Sequence, residues 1–253
     1  RTDMSDAIPA PAEAIRGADS VVAFTGAGVS TASGIPDFRS EGGIWDRYDP
    51  SEFHYSKFRA DPAAFWEKRI ALYEELFDGD VDPNPAHEAL AALESGGHLE
   101  TVITQNVDGL HDIAGSSTVE LHGNGQRVAC ERCDRTEPLE LAEGQIEDGQ
   151  LPPECPSCGG VLKPDTVLFG EQLPKVALQR AKQYARDADV LLAVGSSLTV
   201  EPAASLPRIA SRTGAELAIV NLEETPDSGT AAFDIRGDVT EVLPEVQAAV
   251  DGT

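Results

Sequence analysis

The sequence predicts an α/β fold, with a parallel β-sheet into which a separate small module is inserted. Short apolar runs that stop at small or polar residues alternate with longer helix-like stretches, which is typical of strands joined by helices. The tract from about residue 123 to 163 differs, because it holds all four cysteines and several Gly and Pro residues. With 253 residues, 41% of them hydrophobic, the chain can fill a core.

The predicted strands are 21–25, 101–104, 190–194 and 217–220, and their unbroken apolar runs indicate burial on both faces. The predicted helices are 63–77, 86–93, 175–186, 203–211 and 241–250. Ligands of such sheets bind beyond the carboxyl ends of the strands. Three of the strands run directly into GAG, QNVDG and GSS, so we expect the functional site there.

The chain is strongly acidic, with 44 acidic and 19 basic residues and a formal net charge of -25. The acids are scattered along the sequence, which indicates a solvated surface and not a binding patch. We interpret them as an adaptation to high salt; an ordinary acidic cytosolic protein is the alternative. Both interpretations disfavour a nucleic acid as a direct partner, since binding to its backbone needs a cationic surface.

Membrane association and export are not expected. No apolar run approaches the roughly 18 to 20 residues that span a bilayer, and the N-terminal residues have neither a basic start nor an apolar stretch. We therefore expect a cytoplasmic protein.

The four cysteines form two pairs, Cys130-x-x-Cys133 and Cys155-x-x-Cys158, with 21 residues between the pairs. Two such pairs can close a tetrahedral thiolate site around zinc. Two disulfides are the alternative, but a cytosolic chain is kept reduced. Four protein ligands leave no position open for water or substrate, so we expect a structural metal.

A glycine loop follows the first strand, in the sequence Gly26-Ala27-Gly28-Val29-Ser30-Thr31. Its start fits a turn that cradles a phosphate at a helix N-terminus. The dinucleotide fingerprint has a third glycine where this chain has Thr31, so an ordinary strand-to-helix turn stays an alternative. The Lys-Ser or Lys-Thr pair of a P-loop is missing.

Polar residues cluster after the loop and after the second strand, in the sequences IPDFR and TQNVDGLH. A helix cap would explain Asn106 or Asp108 alone but not the whole set. His122 ends a short apolar segment, where a structural histidine is the alternative to a catalytic one.

Together, GAGVS, GIPDFR, TQNVDGLH, LHG, the two CxxC pairs, KPDTVLFGE and GSSLTVEPA resemble the sirtuin family of archaeal and bacterial type, in the family's order, from about residue 21 to 239. The resemblance implies a Rossmann-like NAD-binding domain made of residues 1–40, 84–122 and 164–253. Residues 41–83 would form the cofactor loop and the helical part of a small domain, and residues 123–163 its zinc module.

The resemblance also implies which residues bind NAD. The phosphates and the ribose would meet Gly26, Ala27, Gly28, Thr31, Gly195, Ser196 and Ser197. The nicotinamide would meet Ile35, Asp37 and Phe38, and the adenosine would meet Asn221, Leu222, Asp238 and Val239. The remaining residues assigned to NAD are Arg39, Gln105, Asn106, Val107 and Asp108.

The implied activity is NAD-dependent deacylation of protein lysine, with nicotinamide, free lysine and O-acyl-ADP-ribose as products. His122 would be the general base on a ribose hydroxyl, with Asn106 and Asp108 orienting ribose and water. An acylated protein or peptide would bind as an extended strand near Val167, Phe169 and Gly170. Mono-ADP-ribosyl transfer to protein is the alternative activity, and a zinc-ribbon binding module without catalysis is the alternative class.

Sirtuins that prefer succinyl or malonyl groups carry a Tyr-x-x-Arg pair on the helix after the cofactor loop. Counted from Trp66, the corresponding positions of this chain hold Arg69 and Leu72. Leu72 offers no bidentate partner for a carboxylate, so we expect an acetyl or other uncharged acyl group.

The net charge of -25 predicts a salt-dependent stability. The Debye length shrinks from about 30 Å at 0.01 M salt to about 3 Å at 1 M, so repulsion among surface carboxylates fades over that range. The thermal midpoint in a potassium chloride series should climb up to about 1 M. A midpoint that stays flat or falls would favour the ordinary acidic protein.

Overall fold

The structure, a computed structural model, describes residues 7–37, 43–76 and 81–252. The strands are β1 (Val21–Thr25), β2 (Thr101–Thr104), β3 (Thr118–Glu120), β4 (Gly123–Cys130), β5 (Thr136–Pro138), β6 (Leu162–Thr166), β7 (Val190–Val194), β8 (Glu216–Asn221) and β9 (Phe233–Arg236). The α-helices are α1 (Pro9–Gly17), α2 (Ile44–Arg47), α3 (Tyr55–Ala60), α4 (Pro62–Leu76), α5 (Pro85–Ser95), α6 (Leu110–Ala114), α7 (Leu139–Glu147), α8 (Lys175–Asp187), α9 (Ser205–Thr213) and α10 (Val239–Asp251).

Six of the strands form one parallel sheet in the order β3-β2-β1-β7-β8-β9. The chain runs outward from β1 to β3, returns to the centre at β7 and runs outward again on the other side. The carboxyl ends of β1 and β7 therefore flank the point where the strand order reverses, which is where doubly wound sheets bind their ligands. The predicted α/β fold with a Rossmann-like parallel sheet is confirmed.

The two faces of this sheet are covered by different helices. Val21 and Ala23 of β1 pack with α1, α5 and α10, whereas Val22 and Phe24 pack with α8 and α9. Both central strands are buried at every position, which explains why their sequences, VVAFT and VLLAV, are almost entirely apolar. In the part of the chain that the structure describes, no helix is long and apolar enough to cross a membrane.

The four predicted strands and five predicted helices are all present. Three of the strands have the predicted bounds, and the ends of the other elements are shifted by at most two residues. Residue 77, the end of one predicted helix, lies outside the described residues. Strands β3 and β9 and helix α1 were not predicted. β3 has only three residues, and β9 carries Asp234 and Arg236, so neither has an apolar run.

The small module consists of a three-stranded antiparallel sheet in the order β5-β4-β6, together with α7. Its core is shared with the helical segment, because Phe58 and Trp66 pack in one cluster with Val128 and Leu162. The Trp66 indole Nε1–H donates to the Leu162 carbonyl oxygen (2.9 Å). The predicted division into three regions stays a prediction, and β6 crosses its boundary at residues 163 and 164.

The four cysteines gather at one end of the module, with all four Sγ atoms within 4.8 Å of one another. The Sγ atoms of Cys130 and Cys158 are 3.5 Å apart, and those of Cys133 and Cys155 are 3.8 Å apart. A disulfide needs about 2 Å. Tetrahedral zinc with Zn–S bonds of about 2.3 Å places its sulfurs just under 4 Å apart, so the set fits zinc and no disulfide is formed here.

Removing one thiolate should therefore release the metal and unfold the module. Cys155 is buried, and its Cys155→Ala variant should lose its bound zinc, about one ion per chain by atomic spectroscopy, together with its catalytic activity. Ser157→Ala, an exposed change between the two ligands, is the matched control and should keep both. A folded, active Cys155→Ala protein without metal would contradict a structural role.

Candidate active site

A cleft of about 950 Å³ opens at the carboxyl ends of the sheet strands. Every described residue that was assigned to catalysis, NAD or substrate lines it: Gly26, Ala27, Gly28, Thr31, Ile35, Asp37, Gln105, Asn106, Val107, Asp108, His122, Val167, Phe169, Gly170, Gly195, Ser196, Ser197, Asn221, Leu222, Asp238 and Val239. Phe38 and Arg39 lie outside the described residues. The assigned positions thus share one site, and their individual roles stay predictions.

The backbones after β1 and β7 touch at the floor of the cleft. The Gly28 N–H donates to the Gly195 carbonyl oxygen (2.8 Å), and a Cβ atom on Gly28 would lie only 2.8 Å from that oxygen. Gly195 has a φ of +56°, and a Cβ there would lie 2.5 Å from the Val29 nitrogen. Only glycine fits on both sides of this contact.

Ser30 links the glycine loop to the residues that follow β2. Its hydroxyl donates to Asp108 Oδ2 (2.8 Å) and accepts from the Asn106 side-chain amide (3.0 Å). The second Asp108 oxygen accepts the Leu110 backbone N–H (2.9 Å), so this carboxylate is held at both oxygens. Asn106 and Asp108 are therefore fixed relative to the glycine loop.

His87 completes this network from α5. Its Nδ1 accepts the Asn84 backbone N–H (3.2 Å), so in the neutral ring Nε2 carries the hydrogen and donates it to Ser30 Oγ (3.4 Å). His87 is fully buried, and burial lowers its pKa to about 4, although the Asp108 carboxylate acts in the opposite direction. His87 is thus a neutral donor near pH 7.

A second buried set of hydrogen bonds supports the backbone that follows β2. Thr104 Oγ1 accepts the Asn106 backbone N–H (3.0 Å) and the Thr25 hydroxyl (2.9 Å), and Thr25 Oγ1 contacts His111 Nε2 (3.0 Å). The His111 ring stacks at a tilt on His87, with centroids 4.8 Å apart. Burial lowers the His111 pKa to about 3, so both rings are neutral near pH 7.

His122 lies in the connection from β3 of the large sheet to β4 of the small one. Its Nδ1–H donates to the Gln105 carbonyl oxygen (2.8 Å). Since a carbonyl can only accept, the hydrogen of the neutral ring is on Nδ1 and the lone pair is on Nε2. Burial lowers the His122 pKa, partly offset by the Gln105 carbonyl, so the ring is a neutral base near pH 7.

The predicted substrate segment, residues 167–170, is held by its backbone. The Val167 N–H donates to the His122 carbonyl oxygen (2.9 Å) and the Phe169 N–H to that of Phe53 (3.2 Å), while the Phe169 oxygen accepts the Tyr55 N–H (2.9 Å). The segment therefore joins His122 to the helical part of the molecule. Phe169 is still 41% exposed, so its ring is accessible from the cleft side.

At the predicted adenosine end, the polar side chains also bond to their own loops. The Asn221 amide donates to the Glu223 carbonyl oxygen (2.9 Å), and Asp238 Oδ1 caps α10 by accepting the Thr240 N–H (2.9 Å). Gln105 has a comparable partner, since its amide donates to Ser196 Oγ (2.9 Å). These bonds hold the side chains in place around the cleft.

Ser30, His87 and His111 were not predicted as site residues. Ser30 was visible in the glycine loop, but its tie to Asp108 is a long-range contact. His87 follows an Asn-Pro helix start that gives no sign of the cleft, and His111 ends the TQNVDGLH motif without a predicted role.

Arg69, Leu72 and Tyr73 of α4 line the same cleft. The Arg69 guanidinium lies 3.9 Å from the centre of the Tyr73 ring, a cation–π distance. Its Nη2 is enclosed by protein and makes no hydrogen bond to a described residue. Leu72 is buried beside it.

Comparison with known proteins identifies the relatives of this arrangement. The model of the Sir2 family matches residues 26–202. The chain is similar to an NAD-dependent protein deacetylase of Haloarcula marismortui (54% identity, covering 95% of this chain and 94% of the relative) and to NAD-dependent protein deacylase 2 of Archaeoglobus fulgidus (44% identity, 96% of each). A solved complex of a Sir2 protein with a p53 peptide and NAD+ superimposes with a TM-score of 0.83, at 38% identity over 95% of this chain and 97% of the other. The chain therefore belongs to the Sir2 family, the sirtuins.

Proposed function

We propose that the chain is an NAD-dependent protein lysine deacylase that transfers the acyl group to ADP-ribose and releases nicotinamide. The observation that carries the proposal is His122, a buried neutral imidazole whose Nδ1 is committed to a carbonyl, so that Nε2 is the basic nitrogen in a cleft shared with Asn106 and Asp108. The relatives named as deacetylases and deacylases support the same activity.

The residues of the cleft fit NAD at both ends. The tight Gly28–Gly195 contact leaves backbone and no side chain where phosphates would lie, and Asp37 and Ile35, assigned to the nicotinamide, line the same cleft. NAD when bound supplies the ribose carbon that receives the acyl oxygen as nicotinamide leaves. His122 would accept the proton of a ribose hydroxyl at Nε2, and the Gln105 carbonyl would stabilise the imidazolium through Nδ1–H.

Asn106 and Asp108 would orient the ribose and a water molecule, and their own hydrogen bonds to Ser30 keep them from turning away. The zinc site has no open position in its set of four thiolates, so it would hold the small module and take no part in the reaction.

Product analysis tests the activity directly. The purified protein is incubated with an acetyl-lysine peptide and with NAD labelled in the adenosine half, and the products are separated by mass spectrometry. Equal amounts of nicotinamide, deacetylated peptide and labelled O-acetyl-ADP-ribose are expected. Label attached to the peptide or to the protein itself would instead indicate ADP-ribosyl transfer.

Replacing the base should remove catalysis and leave binding. His122→Ala should lower kcat/KM by roughly 10²-fold or more, the usual effect of losing a general base, while the Kd for NAD stays near its original value. His98→Ala, a partly exposed histidine outside the cleft lining, is the control and should be as active as the parent. In the parent, kcat/KM should fall on the acid side only below about pH 6.5, because burial lowers the His122 pKa and protonation disables the base.

The acyl group should be uncharged. An arginine that binds a carboxylate through two hydrogen bonds uses Nη2 together with either Nη1 or Nε. The Nη2 of Arg69 is enclosed by protein, and the Tyr73 ring covers one face of the guanidinium. On one peptide sequence, kcat/KM for the acetylated lysine should exceed that for the succinylated lysine by about tenfold or more, since burying a carboxylate without a hydrogen-bonding cation costs free energy. The prediction would be contradicted if the parent used both peptides at comparable rates and Arg69→Met lost activity on the succinyl peptide alone. That result would show that Arg69 binds the carboxylate.

A further inference from the structure

The one buried lysine among the five of this chain is Lys163, in β6. Lys57, Lys68 and Lys175 are exposed, and Lys182 is partly exposed. Lysine rarely occupies a buried position unless its charge is paired, and this chain uses few lysines even on its surface. The Lys163 side chain does not line the cleft, so contact with a substrate does not account for its place.

All three hydrogens of the Lys163 ammonium are used. Nζ donates to the carbonyl oxygens of Pro164 (3.0 Å) and Thr166 (2.8 Å) and to Glu171 Oε2 (3.1 Å). The same Glu171 oxygen accepts the Leu168 backbone N–H (2.8 Å), and the Glu171 N–H donates to the Leu168 carbonyl oxygen (3.0 Å). Together, Lys163 and Glu171 therefore bind backbone groups of residues 164, 166 and 168.

These backbone contacts lie before and within residues 167–170, the segment that lies between His122 and the helical part of the molecule. Thr166 precedes the segment, Leu168 lies within it, and Glu171 follows it. Without the two charges, the Leu168 N–H and the Thr166 carbonyl would lose these partners. The segment would then be held by its remaining backbone bonds, such as those of Val167 and Phe169. Glu171 lines the cleft and Lys163 does not, but the Glu171 Oε2 atom is already bonded to Lys163 Nζ and to the Leu168 N–H, so the pair acts on the loop.

We propose that Lys163 and Glu171 are positioning residues that hold the segment 167–170 in its binding conformation before the acylated peptide arrives. The inference rests on the proposed function, because it concerns the peptide site of that activity. A peptide that adds as a strand gains affinity from main-chain hydrogen bonds, which require a backbone already in register. Ordering the segment in advance removes an entropic cost from binding.

The test separates this role from general stability with two variants and a control. Lys163→Met removes the ammonium and leaves Glu171 unpaired. Lys163→Met combined with Glu171→Met removes both charges, so no unpaired buried charge remains to unfold the protein. Lys182→Met, on α8 and outside the cleft lining, makes the same change of residue type without touching the segment.

Three measurements are made on the zinc-loaded full chain. Fluorescence anisotropy gives the Kd of a labelled acetyl-lysine peptide in the presence of ADP-ribose, and calorimetry gives the Kd of ADP-ribose alone. Hydrogen–deuterium exchange follows the amides of 167–170, with those of β7 and β8 as an internal reference.

In both variants we expect the peptide Kd to rise about tenfold, the ADP-ribose Kd to stay within about twofold, and exchange to accelerate in 167–170 but not in β7 and β8. Lys182→Met should match the parent in all three. An unchanged peptide Kd and exchange in the double variant would overturn the proposal, as would a parallel rise of both Kd values. If the parent itself bound no acylated peptide, the proposed function would fail, while the exchange measurement would still test the ion pair.

Discussion

The contact between two glycine-bearing backbones, Gly28 after β1 and Gly195 after β7, is the constraint on which the site depends. The hydrogen bond of 2.8 Å between them closes the point where the strand order reverses, and no side chain fits at either position. A methyl group on Gly28 would force β1 and β7 apart, and those strands are paired along their whole length. The cleft thus has a floor of bare backbone, which leaves open the space that a side chain would otherwise fill.

Everything else in the site is positioned relative to that floor. Ser30, two residues beyond Gly28, fixes Asn106 and Asp108 through its hydroxyl, and Gln105, next to them, holds His122 through its carbonyl. His122 in turn holds the predicted substrate segment, residues 167–170, through its own carbonyl, which accepts the Val167 N–H. Hydrogen bonds, joined by the short stretch of chain from Gln105 to Asp108, therefore connect the glycine loop to residues 167–170 across the junction of the two sheets.

The sequence was sufficient for the central sheet because β1, β2, β7 and β8 are short apolar runs bounded by small or polar residues. It was also sufficient for the cysteine cluster, where spacing alone indicates the geometry. It could not predict β9, whose residues Asp234 and Arg236 face solvent or pair with each other. Nor could it predict that His87 and Lys163 serve the cleft, because each acts through partners that are distant in sequence or through backbone atoms that no motif records.

The buried histidines His87 and His111 are sensitive to pH, whereas screening by salt acts on exposed charges. Screening weakens interactions between exposed charges, but His87 and His111 are neutral because burial lowers their pKa values to about 4 and about 3, and ions do not reach them. In the unfolded chain both would titrate near pH 6.5. As pH falls from 6.5 towards 4, the unfolded state therefore binds more protons than the folded state. The free energy of unfolding decreases over that range, and the contribution of the neutral histidines is complete above it. Protonation of His87 and His111 in acid is therefore expected to destabilise the contacts that these rings make with Ser30 and Thr25.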